Sequence, residues 1–187
     1  MKTAMRLLSV GGLLLALVGC EARTEKTDGG GVLLTISDFG TLPIVVQVNG
    51  DSTDPNNSGR FQIDELTIQN VPKELNGATG PLMNVELTSY QITYARADTG
   101  TRVPPTLVGS IFSNVPVGGN AVINNMPFVL PQQLATQPFV DLSNRGIDSE
   151  TGSAVVNMRI GIQFFGKTLS GQNVATQVAP FSVQFVQ

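Results

Sequence analysis

The sequence predicts an all-β protein: an antiparallel β-sandwich of about seven to eight strands, with a small β-barrel as the alternative. Three observations lead there. Val85–Arg96 and Ala154–Phe165 alternate apolar and polar residues with a period of two. Elsewhere, short apolar runs are bounded by clusters of Gly, Asn, Asp and Pro. Charged residues make up only 13% of the chain, while Gly, Asn, Thr, Val and Gln are plentiful, a composition that suits strands better than solvated helices.

The chain opens on a segment that does not belong to this fold. Lys2 and Arg6 make a positive start, and Leu7–Val18 is apolar. That run is too short to span a bilayer, which takes about 20 residues. It ends in Leu17-Val18-Gly19-Cys20, small residues ahead of the chain's single cysteine. This junction resembles the lipobox of bacterial lipoproteins. The resemblance implies cleavage between Gly19 and Cys20, with the lipid on Cys20. An ordinary secretory signal with an incidental cysteine is the alternative. In a Gram-negative host, Glu rather than Asp at position 21 implies the outer membrane, facing the periplasm or the cell surface.

The expected organisation is a signal peptide at 1–19, lipidated Cys20 with a flexible tether at 20–31, and a single β domain at 32–187. Removing residues 1–19 from 187 leaves 168, a length suited to one domain. The tether, Glu21–Gly31, ends in three glycines. As a flexible chain it reaches roughly 17–20 Å on average.

Each strand has its own signal. Val32–Ser37 is the first, and Ile44–Asn49 continues its course after an interruption at Gly40–Pro43. Asn49–Gly59 is a turn cluster. Phe61–Asn70 follows, its parity changing near Glu65. In Val85–Arg96, Val85 and Leu87 lie on the opposite parity from Tyr90, Ile92 and Tyr94. A β-bulge near Thr88–Ser89 would bring both sets onto the core face. Pro104-Pro105 stops any ladder, because proline lacks a donor. Thr106–Asn114 and Ala121–Val129 are weaker strands, Pro131–Thr136 can form one helical turn, and Asp141–Gly152 reads as a polar loop. Ala154–Phe165 directs Val156, Met158, Ile160, Ile162 and Phe164 inward, leaving Arg159 and Gln163 outside. Asn173–Val186 returns with a parity change that predicts a bulge at Ala179-Pro180.

SYQITYARADTG, followed by two modest strands and a long closing hairpin, resembles the third strand onward of an immunoglobulin-like or fibronectin type III domain. The pattern is also similar to uncharacterised bacterial lipoproteins carrying such a domain. The resemblance covers about Phe61 to Gln187 and implies a fold, not an activity. Leu66 and Ile68 stand where fibronectin type III domains usually have a tryptophan, and no tyrosine lies near the penultimate strand. The broader name, immunoglobulin-like sandwich, fits better.

Composition narrows the chemistry. With no histidine and with its one cysteine assigned to lipid, the chain lacks the parts of a Ser-His-Asp or Cys-His site. Tryptophan, which commonly stacks on sugars, is absent. The formal charge of −3 becomes −5 once Lys2 and Arg6 are removed, so nucleic acid is not an expected partner.

One stretch spells out a site. Asp54, Asn56, Ser58 and Glu65 have the spacing of side-chain ligands in a twelve-residue calcium loop, with Gly59 at the sharp turn and the Arg60 carbonyl as a further ligand. Only two of these are carboxylates, and strands rather than helices flank the loop. A polar hairpin uses the same residue types for turn reasons alone. Asp64 and Glu65 are expected on opposite faces of their strand, unable to flank one bond. Tyr90 and Tyr94 are expected in the core, and Arg96 and Arg102 on a solvated hairpin rim.

These readings imply a non-enzymatic, membrane-anchored binding or structural module of the cell envelope, held by its N-terminal lipid and meeting a protein partner. The alternative is a ligand-binding accessory protein for calcium or glycan. Calcium is the one cofactor for which a pattern exists.

Overall fold

The computed structural model describes residues 29–42, 45–50, 61–74 and 76–187. Its strands are β1 (Val32–Phe39), β2 (Val45–Gln47), β3 (Gln62–Pro72), β4 (Val85–Arg96), β5 (Leu107–Val115), β6 (Asn120–Pro127), β7 (Val156–Thr168), β8 (Asn173–Ala175) and β9 (Ala179–Val186). Two short helices, α1 (Pro131–Leu134) and α2 (Phe139–Arg145), lie between β6 and β7. The smaller sheet has the order β1-β3-β6, the larger β2-β9-β7-β4-β5, and β8 also pairs with β7. This is an all-β sandwich of two sheets in which the fifth strand belongs to the larger sheet. The first two strands follow one course but belong to different sheets. β1 is antiparallel to β3, whereas β2 runs parallel to β9.

The core forms where the two inner faces meet. On β7, Val156, Met158, Ile160, Ile162 and Phe164 are all fully buried, as their alternation requires. On β4, Val85, Leu87, Tyr90, Ile92 and Tyr94 are all buried, because the register with both neighbours shifts between Leu87 and Ser89. The expected bulge therefore exists where the parity changes. Gly109 of β5 makes room for Tyr90: a Cβ there would lie 2.4 Å from the phenol ring.

Two parity changes resolve differently from expectation. The closing strand shifts register between Ala175 and Ala179, a few residues earlier than Ala179-Pro180, so Val178 faces solvent. The Gln163 amide donates to the carbonyl of Thr176 inside this bulge, at 2.9 Å, and its side chain is only half exposed. In the smaller sheet, β3 and β6 keep one register while both change parity, across Asp64 and Asn125. Asn125 takes a left-handed φ of 53° there, and Ile63, Leu66, Ile123 and Met126 are all buried.

The segment after β6 is a correction. Asp141–Gly152 was expected to be a polar loop, yet its first part belongs to α2. Phe139 and Leu142, three residues apart, are fully buried beneath the helix, and Gly146 ends it at φ 72°. Phe139 packs on Phe185 with ring centroids 4.6 Å apart.

The strand phase has a direct test. Ile160→Ala should lower stability by about 2–5 kcal/mol and Arg159→Ala by under about 0.5 kcal/mol. Thermal melting of the two variants separates them. Equal melting points would place β7 in the wrong phase.

Candidate functional site

Only some of the residues singled out in the sequence are among the described residues. Cys20, Asp54, Asn56, Ser58 and Arg60 are outside the described residues. Glu65 is exposed on β3, and its carbonyl accepts the Gly40 N–H at 2.9 Å. Asp64 and Glu65 sit where β3 changes parity, between core residues Ile63 and Leu66, so simple alternation does not separate them. Among the described residues, no three acidic, histidine or cysteine side chains converge as a metal site would need. Tyr90 and Tyr94 are core. The Tyr94 hydroxyl donates to the carbonyl of Phe128 at 2.6 Å, and burial pushes its pKa above the usual phenol range.

Arg96 corrects the expected solvated rim. Its side chain is only 3% exposed and forms ion pairs with Asp98 at 2.7 Å and Asp148 at 2.8 Å. Asp148 is fully buried; it also accepts the Thr151 hydroxyl at 2.7 Å. Asp98 accepts the backbone N–H of Gly100 and of Asn157. Burial alone would raise both carboxyl pKa values. Hydrogen bonds from Arg96 and from these neighbours outweigh it and hold both below the ordinary range. Around this cluster, Glu150 accepts from the hydroxyl and N–H of Thr101 and from the N–H of Arg102, and the Arg102 guanidinium reaches the Gln137 amide. Every acid in the cluster is committed to donors that fix the loops at this end of the sandwich. The arrangement is a structural clasp, with no carboxylate poised over a cleft.

The surface with unused capacity is β5. It ends the strand order of the larger sheet and pairs with β4 along one edge only, among the described residues. Its nine residues, LVGSIFSNV, contain neither charge nor proline. Leu107 and Val115 anchor its ends in the core, while Val108, Ser110, Phe112 and Asn114 face outward. Phe112 is 83% exposed and Val108 69% exposed. Natural sandwiches usually blunt such an edge with charges, prolines or bulges.

The same outer face carries a shallow groove of about 280 Å³ between β4, β7 and β9, lined by Thr93, Ala95, Arg159, Gly161, Val178 and Pro180 among others. It is smaller and more open than the clefts that enclose small ligands. Tyr94 also borders this groove, but it is only 9% exposed and its hydroxyl is held by the Phe128 carbonyl.

Sequence reasoning missed the Arg96 clasp and the exposed edge. The clasp joins residues 52 positions apart, which no local pattern announces. The edge had a readable signal, an uncharged strand after a double proline, but edge position follows from topology.

No protein family, curated protein or solved structure matches the chain.

Proposed function

We propose that this chain is a lipid-anchored, non-enzymatic binding module of the cell envelope that meets a protein partner through β5. The observation that carries the binding role is the uncharged edge strand with Phe112 and Val108 held outward. An extended segment of a partner can add to such an edge, backbone hydrogen bonds supplying affinity and the two apolar side chains specificity. The anchor rests on Lys2, Arg6, the apolar run and Leu17-Val18-Gly19-Cys20. The commitment of the acidic cluster to structural hydrogen bonds supports a role other than catalysis.

Two measurements test the reading. Growth with a fatty-acid analogue should label the parent chain and leave Cys20→Ser unlabelled; equal labelling removes the anchor. A photoreactive residue in place of Phe112 should give one discrete crosslinked species in envelopes, and the same residue in place of Asn173 should give none. A diffuse smear from both positions would remove β5 as the binding edge.

A further inference from the structure

The two ends of the sandwich differ in chemistry. One end holds the Arg96 clasp, with Asp98, Arg102, Arg145, Asp148 and Glu150 in or beside its loops. The other gathers three connections. Two of them, Pro116–Gly119 and Leu169–Gln172, contain no charged residue; the third, between β3 and β4, begins with Lys73 and Glu74, whose charges sum to zero, and ends in the uncharged Gly80–Asn84. They are bound together there. Leu169 N–H donates to the Asn84 carbonyl at 2.9 Å, Ser170 N–H to the Leu82 carbonyl at 3.0 Å, and Val117 N–H to the Asn84 side chain at 2.9 Å. On adjacent, hydrogen-bonded turns, Leu82 is 64% exposed and Leu169 is 44% exposed.

The described chain also begins at this end. Gly29–Gly31 turns into β1, and the Gly31 carbonyl accepts the Lys73 N–H at 3.0 Å. A Cβ on Gly31 would lie 3.5 Å from the end of Met83, and one on Gly30 would meet Thr168. Gly29 follows Cys20 by nine positions, 29 minus 20. Nine residues can span at most about 30 Å. A lipid on Cys20 would therefore enter on the side where the two leucines protrude, at a distance that leaves them within reach of the bilayer.

We propose that this end of the sandwich rests on the membrane, with Leu82 and Leu169 seated at the boundary between headgroups and acyl chains. The proposal rests on the lipid anchor at Cys20. A lipid surface fits these turns because Leu82 and Leu169 can enter it while the exposed Lys73, Glu74, Glu86 and Lys167 around them stay at the level of the headgroups, and because one acyl anchor is strengthened by a second contact. β7 runs from this end to the clasp, thirteen residues or roughly 40 Å at the rise of a strand. The clasp end then faces away from the bilayer, and β5 stands across it, open to a partner alongside.

The absence of tryptophan makes the test clean. The probe is the lipidated mature chain in phosphatidylcholine vesicles with brominated acyl chains, carrying Leu82→Trp, Leu169→Trp or, at the clasp end, Ile147→Trp. The Leu82→Trp and Leu169→Trp indoles should shift to the blue and be quenched severalfold more than Ile147→Trp. Two positions are used so that a misfolded variant at one leaves the other readable. A chain that floats with the vesicles but shows equal, weak quenching at all three positions overturns the end-on contact and leaves the anchor standing. Blue-shifted emission without bromine quenching means that a second protein copy covers the leucines, which also overturns it. A chain that does not float removes the anchor and the contact together.

Discussion

Asp148→Ala should melt roughly 6–20 °C below the parent, a loss of about 3–5 kcal/mol. The loss comes from what the substitution leaves behind. Arg96, its side chain 3% exposed, keeps Asp98 but loses the second carboxylate 2.8 Å from its guanidinium. The Thr151 hydroxyl and the Glu150 N–H lose their acceptor as well. Breaking one member of a buried ionic group costs far more than the group contributes relative to apolar side chains. Arg96→Met should cost a similar amount, since it strands two carboxylates. Melting points within a few degrees of the parent for both would mean that water replaces the missing partners and that the clasp is not structural.

The same cluster gives a pH signature. Asp98 and Asp148 titrate below the ordinary range in the folded chain. Their stabilisation is therefore fully present above the unfolded carboxylate value of about 3.9 and is lost as pH falls through the lower folded values. The difference in melting point between parent and Asp148→Ala should hold steady from neutral pH to about 5 and narrow below about 4. A difference that widens on acidification would reverse the assignment.

The parts of this molecule that were legible in sequence are those whose signal is local. β7 reads from Val156 to Phe164 because each side chain's face follows from its own position on the strand. The bulge in β4 reads from the parity of Leu87 against Tyr90. The closing bulge was legible in kind but misplaced, because Val178 fits an inward pattern and only the pairing with β7 turns it out. Arg96 shows where local reading ends. A charge beside a turn looks solvated, and its burial is decided by Asp148 in a loop 52 residues later. The site was legible least of all. Edge position for β5 depends on the order of five strands, and most of the proposed calcium ligands lie outside the described residues.

α2 failed for a different reason, and it supplies the second large effect. Phe139→Ala should lower stability by about 3–5 kcal/mol, comparable to the loss at Asp148. Asp141, Ser143 and Asn144 make the segment look like a loop, yet Phe139 and Leu142 share one face and are both fully buried. A seven-residue helix has little stability of its own, so packing must hold it. The Phe139 ring against Phe185 is one apolar contact that does so, buried Leu142 is beside it, and polar ties add to both. The Asn49 amide donates to the Ser143 carbonyl at 3.1 Å, and the Ser149 hydroxyl donates to the Asp141 carboxylate. Truncating Phe139 opens a cavity under the helix that the β9 backbone cannot fill. Phe139→Leu, which keeps most of the volume, should recover much of the loss. Because Asp141 joins α2 to the loop bearing Asp148 and Ser149, the Phe139→Ala and Asp148→Ala losses should not add. The double variant should depart from the sum by more than about 0.5 kcal/mol. Denaturant unfolding of the four proteins measures this. Strict additivity would mean that α2 and the clasp hold their end of the sandwich independently, and parent-like stability in Phe139→Ala would mean that the helix is not part of the cooperative core.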